Sequence, residues 1–133
     1  MSTEPVWIPP QALVDLHREQ IAEHGGAPGL QDRGLLESAL ARPQQRHAYS
    51  PDATMAELAA AYCWGLCKNH PFVDGNKRVA LLAIGIFLGL NGYYLDAREE
   101  DAYRMLMQVA EGSCAEHDLA AWIEQNTLSG NAG

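Results

Sequence analysis

The fold is decided by nine residues near the middle of the chain, His70-Pro71-Phe72-Val73-Asp74-Gly75-Asn76-Lys77-Arg78. Pro71 restricts its own φ and biases the residue before it away from the helical region, so a preceding helix should end near Asn69. Gly75 and Asn76 tolerate unusual backbone angles. Apolar residues then recur at helical spacing over 79–90. The stretch therefore predicts a helix, a tight loop and a second helix.

The same stretch contains several side chains that can bind phosphate or take part in catalysis. Lys77 and Arg78 fall in the first turn of the second helix, where the free N–H groups and the dipole favour anions and disfavour cations. Two cations there make sense if a phosphate binds between them and the backbone amides. Asp74 can hold a metal that screens phosphate charge, and the His70 imidazole can act as a base beside a hydroxyl. These residue types predict an enzyme that handles a nucleotide or phosphate ester.

A purely structural alternative explains each of these residues singly but not all of them together. In it, Lys77 and Arg78 begin a solvated helix, His70 ends the previous helix and Asp74 is a cap. Phe72 alternates with these polar residues, so we expect its ring to point inward and pin the loop.

The length and net charge of the chain limit the number of domains and the classes of ligand to be expected. A chain of 133 residues predicts a single domain spanning 1–133. A net charge of −8 argues against nucleic-acid binding, though not against binding ATP at a locally basic site. The N-terminus lacks a signal-peptide pattern, and the longest apolar run is too short to span a bilayer. We therefore expect a cytoplasmic protein with buried free thiols, at Cys63, Cys67 and Cys114.

Helix signals recur along the rest of the chain. The first helix should begin at Pro9-Pro10 and end at Gly25-Gly26, with His17 on its face and His24 near its C-terminal dipole. Asp32 can cap a second helix, which should stop before Pro43. Capping boxes predict three later starts, at Thr54/Glu57, Asp96/Glu99 and Ser113/Glu116.

The remaining segments read as short or irregular. Tyr93-Tyr94-Leu95 predicts a brief extended segment. The ranges 26–32 and 42–52 are the least regular, and a flap that grips a substrate would lie in one of them. The ends, 1–6 and 127–133, should be frayed. The prediction is an all-α, single-domain fold of about six helices around the central helix–loop–helix.

At these residues the sequence resembles the Fic/Doc family, and specifically its death-on-curing (Doc) branch. The family motif, His-Pro-Phe-x-(Asp/Glu)-(Gly/Ala)-Asn-x-Arg, is matched throughout His70–Arg78. Further similarity runs from about Trp7 to Trp122, in Gly25-Gly26-x-Pro28-Gly29-x-x-Asp32, Leu35-Leu36-Glu37-Ser38-Ala39-Leu40-x-x-Pro43 and Phe87-Leu88-x-x-Asn91-Gly92. The resemblance implies the all-α Fic fold.

The resemblance also implies roles for the motif residues, with ATP and Mg²⁺ as cofactors. His70 would be the base that deprotonates a target hydroxyl, and Asp74 would bind Mg²⁺ on the nucleotide phosphates. Gly75 and Asn76 would form the anion-binding turn, with Asn76 contacting phosphate. Arg78 would bind phosphate.

Lys77 bears on which reaction is catalysed. Most Fic proteins have Gly there and transfer AMP, whereas Doc-type proteins have Lys, and the family's Doc toxin phosphorylates a threonine of elongation factor Tu and arrests translation. A bulky cation would force the nucleotide to bind reversed, so that its γ-phosphate faces the hydroxyl. Two departures from the Doc pattern are Gly75 in place of Ala, which resembles the AMP-transferring type, and Val79 in place of Thr, a neutral packing change.

The family implies a Phd-like antitoxin whose helix lies in a groove near the active site. The chain has no inhibitory Ser/Thr-x-x-x-Glu-(Gly/Asn) motif, so inhibition would come from this partner. Three alternatives stay open: an AMP transferase, a non-catalytic antitoxin-binding module, and a metal-dependent phosphohydrolase using His117-Asp118. The last lacks a suitably placed early His and late Asp.

Overall fold

The computed structural model describes residues 4–130, which form six helices and one two-stranded ribbon. In chain order they are α1 Pro10–His24, α2 Arg33–Tyr49, α3 Met55–Asn69, α4 Asn76–Leu90, β1 Tyr93–Leu95, α5 Glu99–Glu111, α6 Glu116–Gln125 and β2 Thr127–Ser129. The prediction of about six helices around a central helix–loop–helix is confirmed. The outermost parts of both predicted frayed ends, 1–3 and 131–133, lie outside the described residues.

The centre of the fold is α3, which packs against α2, α4 and α6. Its predicted capping box is present: Thr54 Oγ1 accepts from the Glu57 backbone N–H, and the Glu57 carboxylate accepts from the Thr54 N–H. A Cβ at Gly65 would lie 3.2 Å from the Ala39 Cα, so α2 and α3 approach backbone to backbone. Because α3 is buried along most of its length, it fixes the position of His70, which follows its last residue.

The prediction that α2 stops before Pro43 is wrong. The helix runs through Pro43 to Tyr49, which also makes most of the 42–52 range regular. Proline removes one backbone hydrogen bond, but tertiary contacts hold the second half of the helix. Pro43 itself is buried, and Arg46 pairs with Glu57 of α3 at 2.7 Å.

Both chain ends are tied down where the described residues reach them, which corrects the predicted fraying. The extended segment at Tyr93–Leu95 is confirmed as β1, and it pairs antiparallel with β2 inside the predicted tail. At the other end, Val6 exchanges two hydrogen bonds with the Asn91 side chain, at 2.8 and 3.0 Å. These segments are ordered by their contacts with distant residues, which their amino-acid composition does not reveal.

Two of the three predicted capping boxes are wrong. Helix α5 begins after Arg98 without a side-chain cap, because the Asp96 N–H extends the ribbon by donating to the Asn126 carbonyl. Helix α6 begins after Ala115, whose N–H donates to the Asp118 carboxylate, while the Ser113 hydroxyl donates to a carbonyl of α5. Both boundaries lie within three residues of the predicted positions.

Two predictions from composition can be compared with the structure. None of the helices within 4–130 is both long and apolar enough to cross a membrane. All three cysteines are free and buried, as predicted, and burial raises the pKa of the Cys63 thiol far above its usual range. Thiols kept protonated in this way are poor nucleophiles.

Candidate functional site

The motif loop begins and ends at left-handed residues, of which the sequence predicted unusual backbone only at Gly75. His70 caps the C-terminus of α3 in the left-handed region, with φ of 50°, and is the only non-glycine residue in the described chain with a positive φ. Gly75 caps the N-terminus of α4 with φ of 78°. Because left-handed backbone is costly for residues other than glycine, His70 marks a loop held in place by its surroundings.

One such constraint is a clamp made by the Asn76 side chain. Its Oδ1 accepts from the Phe72 N–H at 2.9 Å, and its Nδ2 donates to the Phe72 carbonyl at 2.8 Å. The same Nδ2 lies 3.4 Å from Nδ1 of His70, a long contact that orients the imidazole weakly. The Asn76 side chain is therefore used within the loop, so it is not free for the phosphate contact that the resemblance implies.

A second constraint comes from α1, through a residue that the sequence did not single out for the site. The His17 ring is 4% exposed and stacks on the Phe72 ring, with centroids 3.9 Å apart and planes 9° from parallel. Its Nε2 lies 2.7 Å from the Asp74 carbonyl oxygen. Phe72 points inward as predicted, but the partner on which it stacks comes from 55 positions earlier in the chain.

The third constraint is the loop between α1 and α2, inside one of the two ranges in which a flap was predicted. Leu30 forms a β-bridge with Phe72, and the Gln31 and Val73 N–H groups bond across the pair at 2.8 and 3.0 Å. At Gly26, a Cβ would lie 2.8 Å from Oδ2 of Asp74. The motif loop thus lies against a second loop that fits only with glycine at this position.

Asp74 carries a carboxylate held by backbone amides. Oδ1 accepts from the Gly75 N–H at 2.9 Å, and Oδ2 accepts from the Ala27 N–H at 3.3 Å. Within the described part of the chain, no cluster of three or more His, Cys, Asp or Glu side chains could hold a metal by itself. A single carboxylate fits Mg²⁺ that takes its remaining ligands from phosphates and water.

These groups open into one cavity of about 450 Å³, here called the motif cleft. It is lined by His24, Gly25, His70, Val73, Asp74, Gly75, Asn76, Lys77, Arg78 and Tyr103. All the predicted site residues are therefore brought together. Sequence reasoning missed Tyr103, whose ring centroid lies 6.0 Å from the Arg78 guanidinium and which α5 supplies from a distant part of the sequence.

The cations of the motif cleft are not paired with carboxylates of the described residues. Lys77 and Arg78 are half-buried, and neither makes an ion pair with any carboxylate of residues 4–130. Both lie in the first turn of α4, where the backbone N–H groups and the dipole also carry positive charge. Such an arrangement can hold an anion with several oxygens.

The His117-Asp118 pair lies elsewhere. His117 is 86% exposed, with Nε2 3.3 Å from the Asp118 carboxylate. It borders a separate cavity of about 270 Å³, here called the α6 cleft, lined by Arg46, Thr54, Glu57, Glu116, His117, Ala120, Ala121 and Glu124. Within residues 4–130, the carboxylates around this pair form no group of three or more side chains that could hold a metal, so the pair gives no support to a metal-dependent phosphohydrolase.

Comparisons with known proteins agree with the geometry. The family model described as the Fic/DOC family matches residues 7–88. The chain is 39% identical over 85 residues to "Protein kinase doc" of Escherichia phage P1, covering 64% of this chain and 68% of that protein. It is 40% identical over 104 residues to "Toxin Doc" of Mycolicibacterium smegmatis, covering 73% of this chain and 77% of that protein. All nine residues of the motif fall inside the matched range.

Proposed function

This chain belongs to the Fic/DOC family, and we propose on that premise that it is a Doc-type toxin with protein kinase activity. It transfers the γ-phosphate of ATP to a Ser or Thr hydroxyl of a protein. One observation carries the proposal: Lys77 and Arg78, which make no ion pair with any other residue of 4–130, lie at a helix N-terminus beside His70 and Asp74. We take the whole chain, 1–133, as one Fic/Doc domain.

The phosphates of ATP are held by α4. The turn at Gly75 and Asn76 opens the N-terminus of α4, which favours an anion, and Arg78 offers a fork of donors that matches phosphate oxygens. Lys77 adds a point charge on the neighbouring position. Its bulk is the reason to expect the γ-phosphate, rather than the α-phosphate, next to the hydroxyl.

Asp74 is the residue that would hold Mg²⁺, since its carboxylate already faces the motif cleft. The ion would neutralise charge on the phosphate oxygens during transfer. The backbone amides that Asp74 now engages hold its carboxylate in position.

His70 acts as the base. The hydroxyl oxygen of the target attacks the γ-phosphorus, the bond from that phosphorus to the β,γ-bridging oxygen breaks, and ADP leaves. The hydroxyl proton passes to the imidazole, which is exposed in the cleft and free of any carboxylate partner among the described residues.

An AMP transferase is the second candidate, favoured by Gly75. With no Cβ at this left-handed position, the backbone lets a pyrophosphate approach closely, as in the AMP-transferring type. The target hydroxyl would then attack the α-phosphorus and release pyrophosphate.

Two protein partners complete the proposal. The target is a translation factor in the cytoplasm, with elongation factor Tu as the first choice. The inhibitor is a Phd-like antitoxin, for which the structure offers a mostly apolar groove of about 440 Å³ between α1 and the 28–30 loop. His17 and Phe72 line this groove from the side of the motif loop, so an antitoxin there would lie close to the cleft.

The test uses ATP labelled on the γ-phosphate in one reaction and on the α-phosphate in another, with Mg²⁺, this protein and purified elongation factor Tu. We expect only the γ label on the factor, and none with the His70→Ala variant. Transfer of the α label would replace the kinase with an AMP transferase. If neither label transfers to the factor or to any protein of a bacterial lysate, the chain is a non-catalytic module.

A further inference from the structure

His17 makes contacts that its place on an amphipathic helix does not require. It is one of two buried polar side chains in the described residues, the other being Asn76. Its ring lies flat on Phe72, and its Nε2 is 2.7 Å from the Asp74 carbonyl oxygen. It therefore contacts the motif loop at two points, one on each side of Val73.

The hydrogen bond to Asp74 determines that Nε2 of His17 carries a proton. A carbonyl oxygen only accepts, so Nε2 carries the proton and donates it. Replacing the donor would leave the Asp74 carbonyl without its partner beneath the loop.

This bond controls the direction of the next amide. In a trans peptide the C=O and the following N–H point in opposite directions, and the described chain has no cis peptide bond. With the Asp74 carbonyl drawn towards α1, the Gly75 N–H is turned away from α1 and donates to Asp74 Oδ1 at 2.9 Å. Both the carboxylate and the first amide of the turn are thereby aimed.

The loop needs such a restraint because of Gly75. Glycine adopts positive and negative φ at similar cost, so the peptide between Asp74 and Gly75 can rotate easily. A Cβ at Gly75 would lie 3.6 Å from the His17 ring, which shows how closely the ring supports this peptide. The ring and its N–H together exclude the rotated form.

We propose that His17 is a positioning residue for phosphoryl transfer, holding the Asp74–Gly75 peptide in the orientation that the phosphate-binding turn requires. The inference rests on the proposed function. His17 lies outside the lining of the motif cleft and acts through Asp74 and Gly75 without touching ATP.

Two variants separate the ring from its donor. His17→Gln keeps an N–H near the position of Nε2 but loses the aromatic stack, whereas His17→Phe keeps the stack and loses the donor. His47→Phe is the control: His47 is a half-buried histidine of α2 that also contacts an aromatic ring, Trp7, with centroids 5.8 Å apart. It has no contact with the motif loop among the described interactions.

Steady-state kinetics with ATP and thermal unfolding are measured for all variants. We expect His17→Phe to lower kcat about tenfold to a hundredfold, His17→Gln to recover to within about threefold of wild type, and His47→Phe to leave kcat unchanged. A purely structural role predicts that activity follows thermal stability in every variant. Unchanged kcat in His17→Phe, or equal losses in the Phe and Gln variants, would overturn the proposal.

An NMR spectrum of the glycine amides reads the same orientation without any turnover. We expect the Gly75 resonance to move in His17→Phe and to return towards its wild-type position in His17→Gln. A Gly75 resonance that stays in place in His17→Phe would overturn the positioning role. Should wild type transfer no phosphate while this pattern appears, the proposed function fails and the role of His17 in shaping the loop stands.

Discussion

The motif cleft and the α6 cleft are both cavities lined by histidine and arginine. They differ in how their charges are balanced. In the α6 cleft, Arg46 pairs with Glu57 at 2.7 Å, and Arg42 pairs with Glu116 beside it. In the motif cleft the corresponding cations are unpaired within residues 4–130. The arginines of the α6 cleft are thus balanced by carboxylates of the protein itself, whereas the cations of the motif cleft are available to an anionic ligand.

Backbone geometry separates the two clefts in the same direction. The loop of the motif cleft has left-handed backbone at His70 and Gly75. It is held by the side chain of Asn76 and by the buried ring of His17. The α6 cleft is built on ordinary helix caps, of which the Thr54 capping box is the clearest. Strain and unpaired charge at one place indicate a site kept for binding, whereas satisfied ion pairs at the other indicate a stabilising surface.

Removing the histidine from each cleft should give the largest difference. We expect His70→Ala to lower kcat for phosphoryl transfer by about 10²–10⁴-fold, because the target hydroxyl loses its base. His117→Ala, which changes the same residue type at the α6 cleft, should leave kcat unchanged. Label-transfer rates for the two variants check this, and equal rates would remove the distinction between the clefts.

Removing the arginine should affect nucleotide binding next. Arg78→Gln should weaken ATP binding by about tenfold to a hundredfold, the range for a lost charge-assisted hydrogen bond. Arg46→Gln should leave ATP affinity unchanged, since Glu57 already occupies that guanidinium. Calorimetric titration with ATP and Mg²⁺ measures both, and a loss in Arg46→Gln alone would move the nucleotide to the other cleft.

The asparagine clamp tests the loop itself. Asn76→Ala leaves the buried N–H and carbonyl of Phe72 without partners, and we expect a loss of about 1–3 kcal/mol in the free energy of unfolding. Asn69→Ala removes a single exposed hydrogen bond to the Leu35 carbonyl and should cost less than about 1 kcal/mol. Urea unfolding compares the two, and the order reversed would mean that the clamp adds nothing.

The smallest effect should be the response of the α6 cleft to acid. A hydrogen bond from the Thr54 N–H, followed by the contact with Arg46, lowers the pKa of Glu57 below its ordinary 4.5. The stabilisation is therefore complete above pH 4.5 and lost as the pH falls through the lowered value. We expect at most about 1 kcal/mol, because the pair is partly exposed. The Glu57→Gln variant should lose this part of the pH dependence below pH 4.5, and an unchanged profile would contradict it.

Local patterns predicted those parts of the molecule that local forces decide. The ends of α3 and α4 at the motif follow from Pro71 and Gly75, whose backbone restrictions operate within one residue. The cap at Asp32 and the box at Thr54 likewise depend on groups three positions apart. The motif residues of the site were found for the same reason, since all of them lie in one continuous stretch.

Partners from distant parts of the chain account for what was missed. Pro43 stays helical because of contacts across to α3, and the Asp96 box fails because its N–H is taken by Asn126. His17 and Tyr103 reach the site from α1 and α5. The one signal that could have found His17 is its place on the apolar face of α1, where an imidazole needs a buried acceptor.

The most direct test of the central claim is phosphorus NMR of ATP with Mg²⁺ as this protein is added, because it needs neither the target nor turnover. If Lys77 and Arg78 hold the terminal phosphate at the N-terminus of α4, the γ-phosphate resonance will change most. A larger change at the α-phosphate would contradict the account and place the nucleotide in the orientation of an AMP transferase.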